Sequence, residues 1–235
     1  MRALRQVMNR SRDWPGQRGF TLVELLVVLA IVAALLGMLV PGLSRARTAA
    51  RIVRVHSDLR QIELALLIYA DNHAGALPPT RFSCSMRTAY ELPGELSDYL
   101  PHDRTLVSTS AGNVVLDKIQ MWDVFLPSET YKYRAVGAAI VNESVVFAPP
   151  DGAWLWVPDD FPPSCVETSG RIHRDPRESP VRYALWSVGP DPHSPKLSHL
   201  PGRLPLPRRY WCHGAGDTGV ITHFTARDGK QYSSP

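Results

Sequence analysis

The chain has 235 residues, which is enough for one ordinary domain with an appendage or for two small domains. Apolar residues make up 44% and charged residues 20%, a composition that is typical of globular proteins and excludes disorder throughout. The net charge of +4 lies in residues 1–19, where five arginines face one aspartate, so the remaining body is neutral. Because nucleic-acid-binding proteins carry their basic patch on the folded body, we expect no nucleic-acid partner.

Residues 20–40 form an apolar run of 21 residues that contains one charge, Glu24. As an α-helix this run is about 31 Å long, which matches the hydrocarbon core of a bilayer. A secretory signal peptide is the first alternative, but its apolar region is shorter and ends at a small-residue cleavage site, and neither holds here. The basic flank predicts that residues 1–19 stay in the cytoplasm and that the rest of the chain lies across the membrane.

A specific pattern marks the start of the apolar run: a basic flank, a glycine, a phenylalanine, and then Thr-Leu-x-Glu. The stretch reads RGFTLVEL at residues 18–25. It resembles the signal of type IV pilins and of the pseudopilins of type II secretion. The resemblance implies that a membrane peptidase cuts between Gly19 and Phe20 and then methylates the new amino terminus, so that residues 1–19 are a cleaved leader.

The resemblance also implies roles for two residues within the helix. A carboxylate inside a membrane span costs roughly 2.5–3.5 kcal/mol and usually has a partner. In a packed filament, Glu24 of one subunit would pair with the Phe20 amine of a neighbour, which removes two isolated charges from a water-poor core. The alternative for Glu24 is an acid near a helix end that reaches the membrane interface. Pro41 lies where the family commonly has a proline within a helix that continues beyond it.

An amphipathic stalk helix is predicted for residues 42–75. The stretch 43–72 has no Pro or Gly and is rich in helix-forming residues. Apolar residues recur at 3–4-residue spacing and are expected to pack under a sheet; they lie at 52, 55, 59, 62, 66 and 69. Gly75 and the prolines that follow are expected to end the helix. The phrase before them is similar to the corresponding part of the major pseudopilins.

Residues 76–235 are predicted to form a β-rich head. Helix followed by strands is the order of an α+β fold, here a mostly antiparallel sheet with long Pro-rich loops that packs on the stalk helix. The predicted strands are 114–116, 121–126, 131–141, 144–148, 153–157, 182–188 and 219–225. Residues 189–209 are rich in proline and are predicted to be an irregular loop. No role is predicted for residues 80–180.

A calcium site is one reading of the stretch YALWSVGPD at residues 183–191. It is similar to an aromatic-x-Ser-x-Gly-x-Asp phrase near the end of the major pseudopilins, where oxygen ligands hold Ca²⁺. The resemblance makes Asp191, and with it Ser187, a candidate calcium ligand. Calcium needs 6–8 oxygens, and the next acid, Asp217, lies 26 residues further on. The alternative is a turn set by Gly189 and Asp191, and no other cofactor is expected.

Two glycine-rich motifs point to structure rather than to chemistry. Residues 214–219, GAGDTG, satisfy G-x-G-x-x-G but lead into a strand-like stretch instead of a helix, which does not suit a dinucleotide site. The DTG triplet at 217–219 matches aspartic proteases, whose chemistry needs two carboxylates that come from two lobes or from two subunits. This chain has one triplet, so a dimeric protease is the alternative. We expect a tight turn before the last strand.

The cysteines give weak signals for metal or redox chemistry. None of Cys84, Cys165 and Cys212 belongs to a C-x-x-C pair. A metal site would require the fold to bring Cys212 and His213 to Cys165 and His173. One disulfide can form outside the cytoplasm, and the sequence leaves open whether Cys165 pairs with Cys84 or with Cys212.

The sequence therefore predicts a pilin-like structural subunit of a type II secretion pseudopilus or a type IV pilus, and not an enzyme. Its expected partners are the prepilin peptidase and methyltransferase, other pilin-like subunits and the assembly machinery of the bacterial inner membrane. The expected segments are a leader (1–19), a membrane helix (20–41), a stalk (42–75) and a periplasmic head (76–235). The protein is expected to be assembled into a periplasmic or cell-surface filament. The alternative is a single-pass membrane-anchored periplasmic domain that binds a ligand or catalyses a reaction.

Overall fold

A computed structural model of the chain describes residues 19–82, 89–109, 112–141, 145–148, 151–157, 171–193 and 207–235. Within these ranges a long helix, α1 (Leu22–Asn72), precedes eleven short strands, so the predicted α+β class is confirmed. The strands are β1 (Thr80–Phe82), β2 (His102–Thr109), β3 (Gly112–Ile119), β4 (Lys132–Ala135), β5 (Ala139–Val141), β6 (Val145–Phe147), β7 (Leu155–Val157), β8 (Arg171–His173), β9 (Val181–Ser187), β10 (Ile221–Ala226) and β11 (Gln231–Ser233).

The helix α1 is continuous through Pro41, as the sequence predicted. The chain nevertheless divides into two compact units, the first ending at Ser44 and the second formed by Arg45–Pro235. The helix ends where glycine was expected to end it. Gly75 has a φ of +84° and donates its N–H to the Ala70 carbonyl at 2.7 Å, which satisfies an orphan acceptor of the last turn.

The second unit is built on a four-stranded sheet in the order β11-β10-β9-β4, in which every neighbour is antiparallel. A three-stranded sheet in the order β1-β5-β6 contains the parallel pair β1-β5. Two further antiparallel pairs, β2-β3 and β7-β8, complete the ladders of the described residues. The mostly antiparallel head predicted from the sequence is confirmed.

The stripe predicted on the stalk forms the main core with one face of the four-stranded sheet. The stripe residues are fully or largely buried, except for Tyr69, which is partly buried; the buried ones are Ile52, Val55, Leu59, Ile62 and Leu66. They share a cluster with residues from the neighbouring strands: Tyr133, Tyr183, Leu185 and Ile221. Burial of these side chains is what fastens this part of the helix to the sheet.

The opposite face of the same sheet carries a smaller core. Because side chains alternate along a strand, Ala184 of β9 and Phe224 of β10 belong to this second cluster. Val181 joins them because the register between β9 and β10 shifts at Thr225 and Ala226. Trp211 packs against Phe224, with ring centroids 6.1 Å apart. The four-stranded sheet is thus covered on both faces.

Two of the predicted strands are wrong. Residues 121–126 form a turn, because Asp123 accepts the Phe125 N–H at 2.9 Å through Oδ1 and so closes the backbone locally. The predicted strand 131–141 is two strands, β4 and β5. The interruption lies at Gly137, which has a φ of +139° and pairs with Ala153.

The other predicted strands are present with shifted ends, and four strands escaped prediction. β1, β8 and β11 have three residues each, which is too short for an alternating pattern to be recognised. β2 begins with the polar residues His102, Asp103 and Arg104, and its hydrogen-bond partner is the apolar strand β3. The predicted loop 189–209 begins as a turn after β9 and lies partly outside the described residues.

Candidate processing and assembly site

The first half of α1 presents its apolar side chains to solvent on every side. The large apolar residues between Leu22 and Leu43 are 44–80% exposed. Among the described residues, α1 is the helix that is long and apolar enough to cross a membrane, and none of its most apolar stretch is buried within the protein. A helix that is apolar all round and unburied requires lipid or other apolar partners.

The helix begins with a capping box formed by Thr21 and Glu24. The Thr21 N–H donates to Glu24 Oε2 at 2.9 Å, and the Thr21 hydroxyl donates to the same oxygen at 2.8 Å. In return, the Glu24 N–H donates to Thr21 Oγ1 at 3.2 Å. The Glu24 carboxylate therefore has a local partner within a single chain, at the helix end where negative charge is favoured.

Thr21 is a site residue that the sequence analysis did not single out. Its signal is present in the sequence, because Thr-x-x-Glu before an apolar run is the pattern of a capping box. The pair gives Glu24 an identifiable role in the isolated chain, which is separate from the pairing with a neighbouring amine predicted above.

Gly19 and Phe20 precede the helix and lie outside regular secondary structure. A Cβ atom added to Gly19 would meet no atom within 4 Å, and the Phe20 side chain is 77% exposed. Among the described residues, nothing lies close enough to Gly19 to require a glycine there. Both residues are exposed in the described part of the chain.

Pro41 is followed by Gly42, and both lie inside α1. Proline removes one backbone donor from the helix and glycine lowers helix propensity, so this is the weakest point of the helical ladder. It lies close to Ser44, where the first unit ends. The role of Pro41 in assembly stays a prediction.

The sequence places Ser187 near Asp191, but the hydrogen bond that the Ser187 hydroxyl donates leads to a different carboxylate. The Ser187 hydroxyl donates to Asp123 Oδ1 at 2.8 Å, and the Val188 N–H donates to Asp123 Oδ2 at 2.9 Å. Asp191 lies in the turn after β9. In the described part of the chain, no three His, Cys, Asp or Glu residues gather as potential metal ligands, so calcium at Asp191 stays a prediction.

Asp123 is a second residue that sequence reasoning missed. It is 1% exposed, and burial raises the pKa of its carboxyl group, although the hydrogen bonds donated by Phe125, Ser187 and Val188 act in the opposite direction. The carboxylate ties the 121–130 turn to the end of β9. No local pattern reports this link, because the two segments lie 64 residues apart.

The glycine-rich stretch 214–219 is a turn before β10, and β11 still follows that strand, so β10 is not the last one. Asp217 accepts the backbone N–H groups of His213 at 2.9 Å and of Thr218 at 2.7 Å. Local side chain–backbone hydrogen bonds of this kind stabilise turns. These two hydrogen bonds lower the pKa of the Asp217 carboxyl group, which is partly exposed. A Cβ atom on Gly219 would lie 2.3 Å from the Trp211 backbone, so close strand approach explains the glycine.

Cys212 is a buried free thiol whose Sγ lies 3.5 Å from the Gly214 carbonyl oxygen. Burial raises the pKa of this thiol. Cys84 and Cys165 lie outside the described residues, so both predicted pairings, Cys165 with Cys84 and Cys165 with Cys212, stay predictions.

Residues 14–40 match the family model of the prokaryotic N-terminal methylation motif. No curated protein matches the chain, and no solved structure does. The match covers the predicted leader junction and the apolar half of α1. It confirms that the chain carries the prepilin-type signal of the type IV pilin and pseudopilin class, and it fits anchoring in the inner membrane.

Proposed function

We propose that this chain is a structural subunit of a pilin-like filament, processed by a prepilin peptidase and assembled through its amino-terminal helix. The main supporting observation is that the methylation motif at residues 14–40 overlaps the first half of a 51-residue helix, and that this half is apolar and unburied. The second half of that helix is committed to the head. The first half of the helix is thus available to other chains, while the second half is packed against the folded head.

The proposed processing follows from the position of the cut. Cleavage between Gly19 and Phe20 removes the basic leader, leaves the spanning helix intact and creates an ammonium group two residues before the helix starts. The positive charge of the leader supports an orientation with this end in the cytoplasm and the head in the periplasm. Methylation of Phe20 and later release of the helix into a filament complete the proposal.

Mass spectrometry of the amino terminus of the membrane-extracted protein tests the processing step. We expect N-methylated Phe20 in the native chain and an intact Met1 in Gly19→Val, because the branched side chain fills the position that the peptidase reads as glycine. Gly16→Val is the matched control within the leader and is expected to be cut normally. An intact Met1 in the native chain, with the peptidase present, would sink the proposal and favour an anchored periplasmic domain.

Thr21 and Glu24 allow capping to be separated from pairing between subunits. Thr21→Ala removes the hydroxyl partner but keeps the carboxylate, whereas Glu24→Gln removes the charge and keeps the shape. If Glu24 pairs with a Phe20 amine, filament formation is lost in Glu24→Gln and survives in Thr21→Ala. Equal loss in both variants assigns Glu24 to the helix cap alone.

We further propose that the machine is a type II secretion system. The support is the similarity of the stretches before Gly75 and at 183–191 to the major pseudopilins. Deletion of the gene in its host is expected to leave secreted proteins in the periplasm while surface filaments persist. The reverse outcome, lost surface filaments with normal secretion, assigns the subunit to a type IV pilus.

A further inference from the structure

A run of arginines follows the apolar half of α1 with no acid among them. Residues 43–57 contain Arg45, Arg47, Arg51 and Arg54 and no Asp or Glu, so this stretch has a charge of +4. Because residues 20–235 are neutral in sum, the rest of that body is negative by the same amount. Positive charge is thus concentrated in about three helical turns.

Three of these arginines have no ion-pair partner in the described part of the chain. Arg54 is the exception, because its Nε lies 3.8 Å from Asp58 Oδ2. Arg45, Arg47 and Arg51 are exposed, and no acid of the described residues lies within ion-pair distance of them. Their charge is therefore not neutralised within the described parts of the protein.

The spacing of the arginines makes this concentration of charge unfavourable in the isolated chain. Arg47 and Arg51 are four residues apart and Arg54 follows three residues later, so the three lie on one face of α1. Like charges at this spacing repel and destabilise a helix. Arg45 lies on the other side, about 200° around the helix from Arg47. An external anion is the kind of group that removes the repulsion.

The arginines follow directly on the apolar surface that requires lipid. Leu43 is the last large exposed apolar residue of the first half of α1, with an exposure of 49%. At 1.5 Å per residue, Arg45, Arg47 and Arg51 lie about 3, 6 and 12 Å beyond it along the helix. The headgroup layer on each side of a bilayer is about 5–7 Å thick. Arg45 and Arg47 are therefore at the depth of the lipid phosphates.

Helix geometry directs these side chains back toward the membrane. In an α-helix each Cα–Cβ bond tilts toward the amino terminus, and here the apolar half lies on that side. A long arginine side chain places its methylene groups along the helix and its guanidinium at the headgroups. Arg51, one turn beyond Arg47, is brought closer to the same layer in this way. A guanidinium group binds phosphate oxygens through two parallel N–H groups.

We propose that Arg45, Arg47 and Arg51 bind the phosphate groups of anionic lipids at the end of the membrane helix. The proposal rests on the membrane anchoring proposed above and adds the kind of lipid that the anchored subunit selects. It holds for either orientation of the span, because it needs only anionic headgroups at this end of the helix. The position next to the span favours lipid over the phosphates of a nucleic acid.

The first test measures which lipids stay bound to the full chain. The membrane-extracted protein in detergent is mixed with equal amounts of phosphatidylglycerol and phosphatidylcholine and is analysed by native mass spectrometry at low ionic strength. A basic residue near an anionic surface strengthens association roughly fivefold, so we expect about fivefold more phosphatidylglycerol than phosphatidylcholine to be retained. Equal retention of the two lipids overturns the proposal.

The second test replaces Arg45, Arg47 and Arg51 together with glutamine. Glutamine has nearly the helix propensity of arginine, and the three positions are exposed, so this triple variant is expected to fold. We expect the excess of the anionic lipid to fall below about twofold, because the guanidinium groups that bind its phosphate are gone. An unchanged excess contradicts the proposal.

A matched control separates the site from net charge. It replaces three exposed arginines of the head with glutamine, namely Arg174, Arg177 and Arg227. The control has the same net charge as the first triple variant and is expected to keep the fivefold excess of the anionic lipid. An equal fall in both triple variants assigns the preference to overall charge and overturns the site.

Salt and competing phosphates test the nature of the contact. About 0.5 M ammonium acetate is expected to abolish the preference for the anionic lipid, because salt screens charges at a membrane surface. A preference that survives this salt comes from the lipid tails and overturns the role of the guanidinium groups. Inorganic phosphate or short duplex DNA, at the concentration of the lipid, is expected to displace none of it. Displacement by either one assigns the arginines to that ligand instead.

Failure of the lipid site is distinguishable from failure of the proposed function. N-methylated Phe20 reports processing and does not depend on the arginines, whereas the difference between the two triple variants is measured with or without the leader. A processed chain that shows no lipid preference refutes the lipid site alone. An intact Met1 together with a preference that the first triple variant loses refutes processing and leaves the lipid site in place.

Discussion

Leu26 and Leu59 belong to the same uninterrupted helix, yet Leu26 is 60% exposed and Leu59 is fully buried. The difference extends over the two halves of α1. Up to Ser44 the apolar side chains have no partner in the described parts of the protein, whereas beyond it one stripe is covered by the sheet. Both halves are helical, so the environment of each half is decided by what its apolar residues are able to contact.

The comparison shows that only the second half of α1 contributes to the folding of the head. The first half has apolar surface that lipid or other subunits must cover. The second half holds side chains of fixed size against Tyr133, Leu185 and Ile221. Substitutions that separate these roles test the comparison.

The largest expected effect is that of Leu59→Ala in the buried stripe. We expect the free energy of unfolding of the head to fall by about 2–5 kcal/mol, because a cavity opens under the sheet. Denaturant unfolding in detergent, followed by tryptophan fluorescence, measures it. Leu64→Ala is the matched control five residues on, where the side chain is 59% exposed, and it is expected to change stability by less than about 0.5 kcal/mol. Equal losses of stability in Leu59→Ala and Leu64→Ala would contradict the role given to the buried stripe.

The next effect concerns the buried carboxylate of Asp123. Asp123→Asn replaces one acceptor oxygen with an amide that opposes either the Val188 N–H or the Ser187 hydroxyl. We expect a loss of about 2 kcal/mol in the free energy of unfolding. The measurement is the same denaturant titration.

Asp191→Asn is the control for Asp123 and also tests the predicted calcium site. Asp191 is partly exposed in the turn after β9, and without calcium its variant is expected to unfold like the native chain. If Asp191 is a calcium ligand, added Ca²⁺ raises the Tm of the native chain and not that of the variant. An equal Tm in all four conditions contradicts the calcium prediction.

Local patterns were sufficient to predict the parts of the molecule that depend on neighbours in sequence. The buried stripe from Ile52 to Leu66, the glycine at position 75 and the motif around Glu24 all lie within a few helical turns. Their spacing and residue type carry the physical reason for the structure. The β-rich head was predicted as a class because its short apolar runs alternate with turns.

Contacts between distant residues could not be predicted from these patterns. His56 and His223 are separated by 167 residues, and nothing in either neighbourhood indicates the other. Arg134 is 1% exposed, with its guanidinium 4.4 Å from the Trp154 ring centroid, and the sequence around it looks like an ordinary strand. The false strand at 121–126 has a local cause instead: Asp123 closes the backbone onto Phe125, and the apolar residues around it concealed this turn.

A smaller effect is expected at the link between the stalk and β4. Tyr131 donates its hydroxyl to Asp58 Oδ2 at 2.8 Å, and burial with this contact raises the tyrosine pKa. Tyr131→Phe is expected to lower the free energy of unfolding by about 1.5 kcal/mol, since the hydrogen bond involves a charged group. Arg54→Gln is the control, because Arg54 lies 3.8 Å from the same carboxylate and is 73% exposed. Its expected change is below about 0.5 kcal/mol.

The smallest effect, absent near neutral pH, is an alkaline loss of stability from Tyr183, beneath the second half of the helix. Burial is the first cause that raises its pKa to about 12, and the charge of Glu63 acts in the same direction. The unfolded chain loses this proton near its ordinary pKa of about 10, so the stabilisation is complete below pH 10 and is lost as pH rises through about 12. At about pH 11 the native chain should lose about 1 kcal/mol more than Tyr183→Phe, measured by denaturant unfolding at both pH values. Parallel pH profiles of the native chain and Tyr183→Phe would mean that the Tyr183 hydroxyl reaches water. The sheet beneath the second half of the helix would then not exclude solvent, and the contrast with the exposed first half would be weaker.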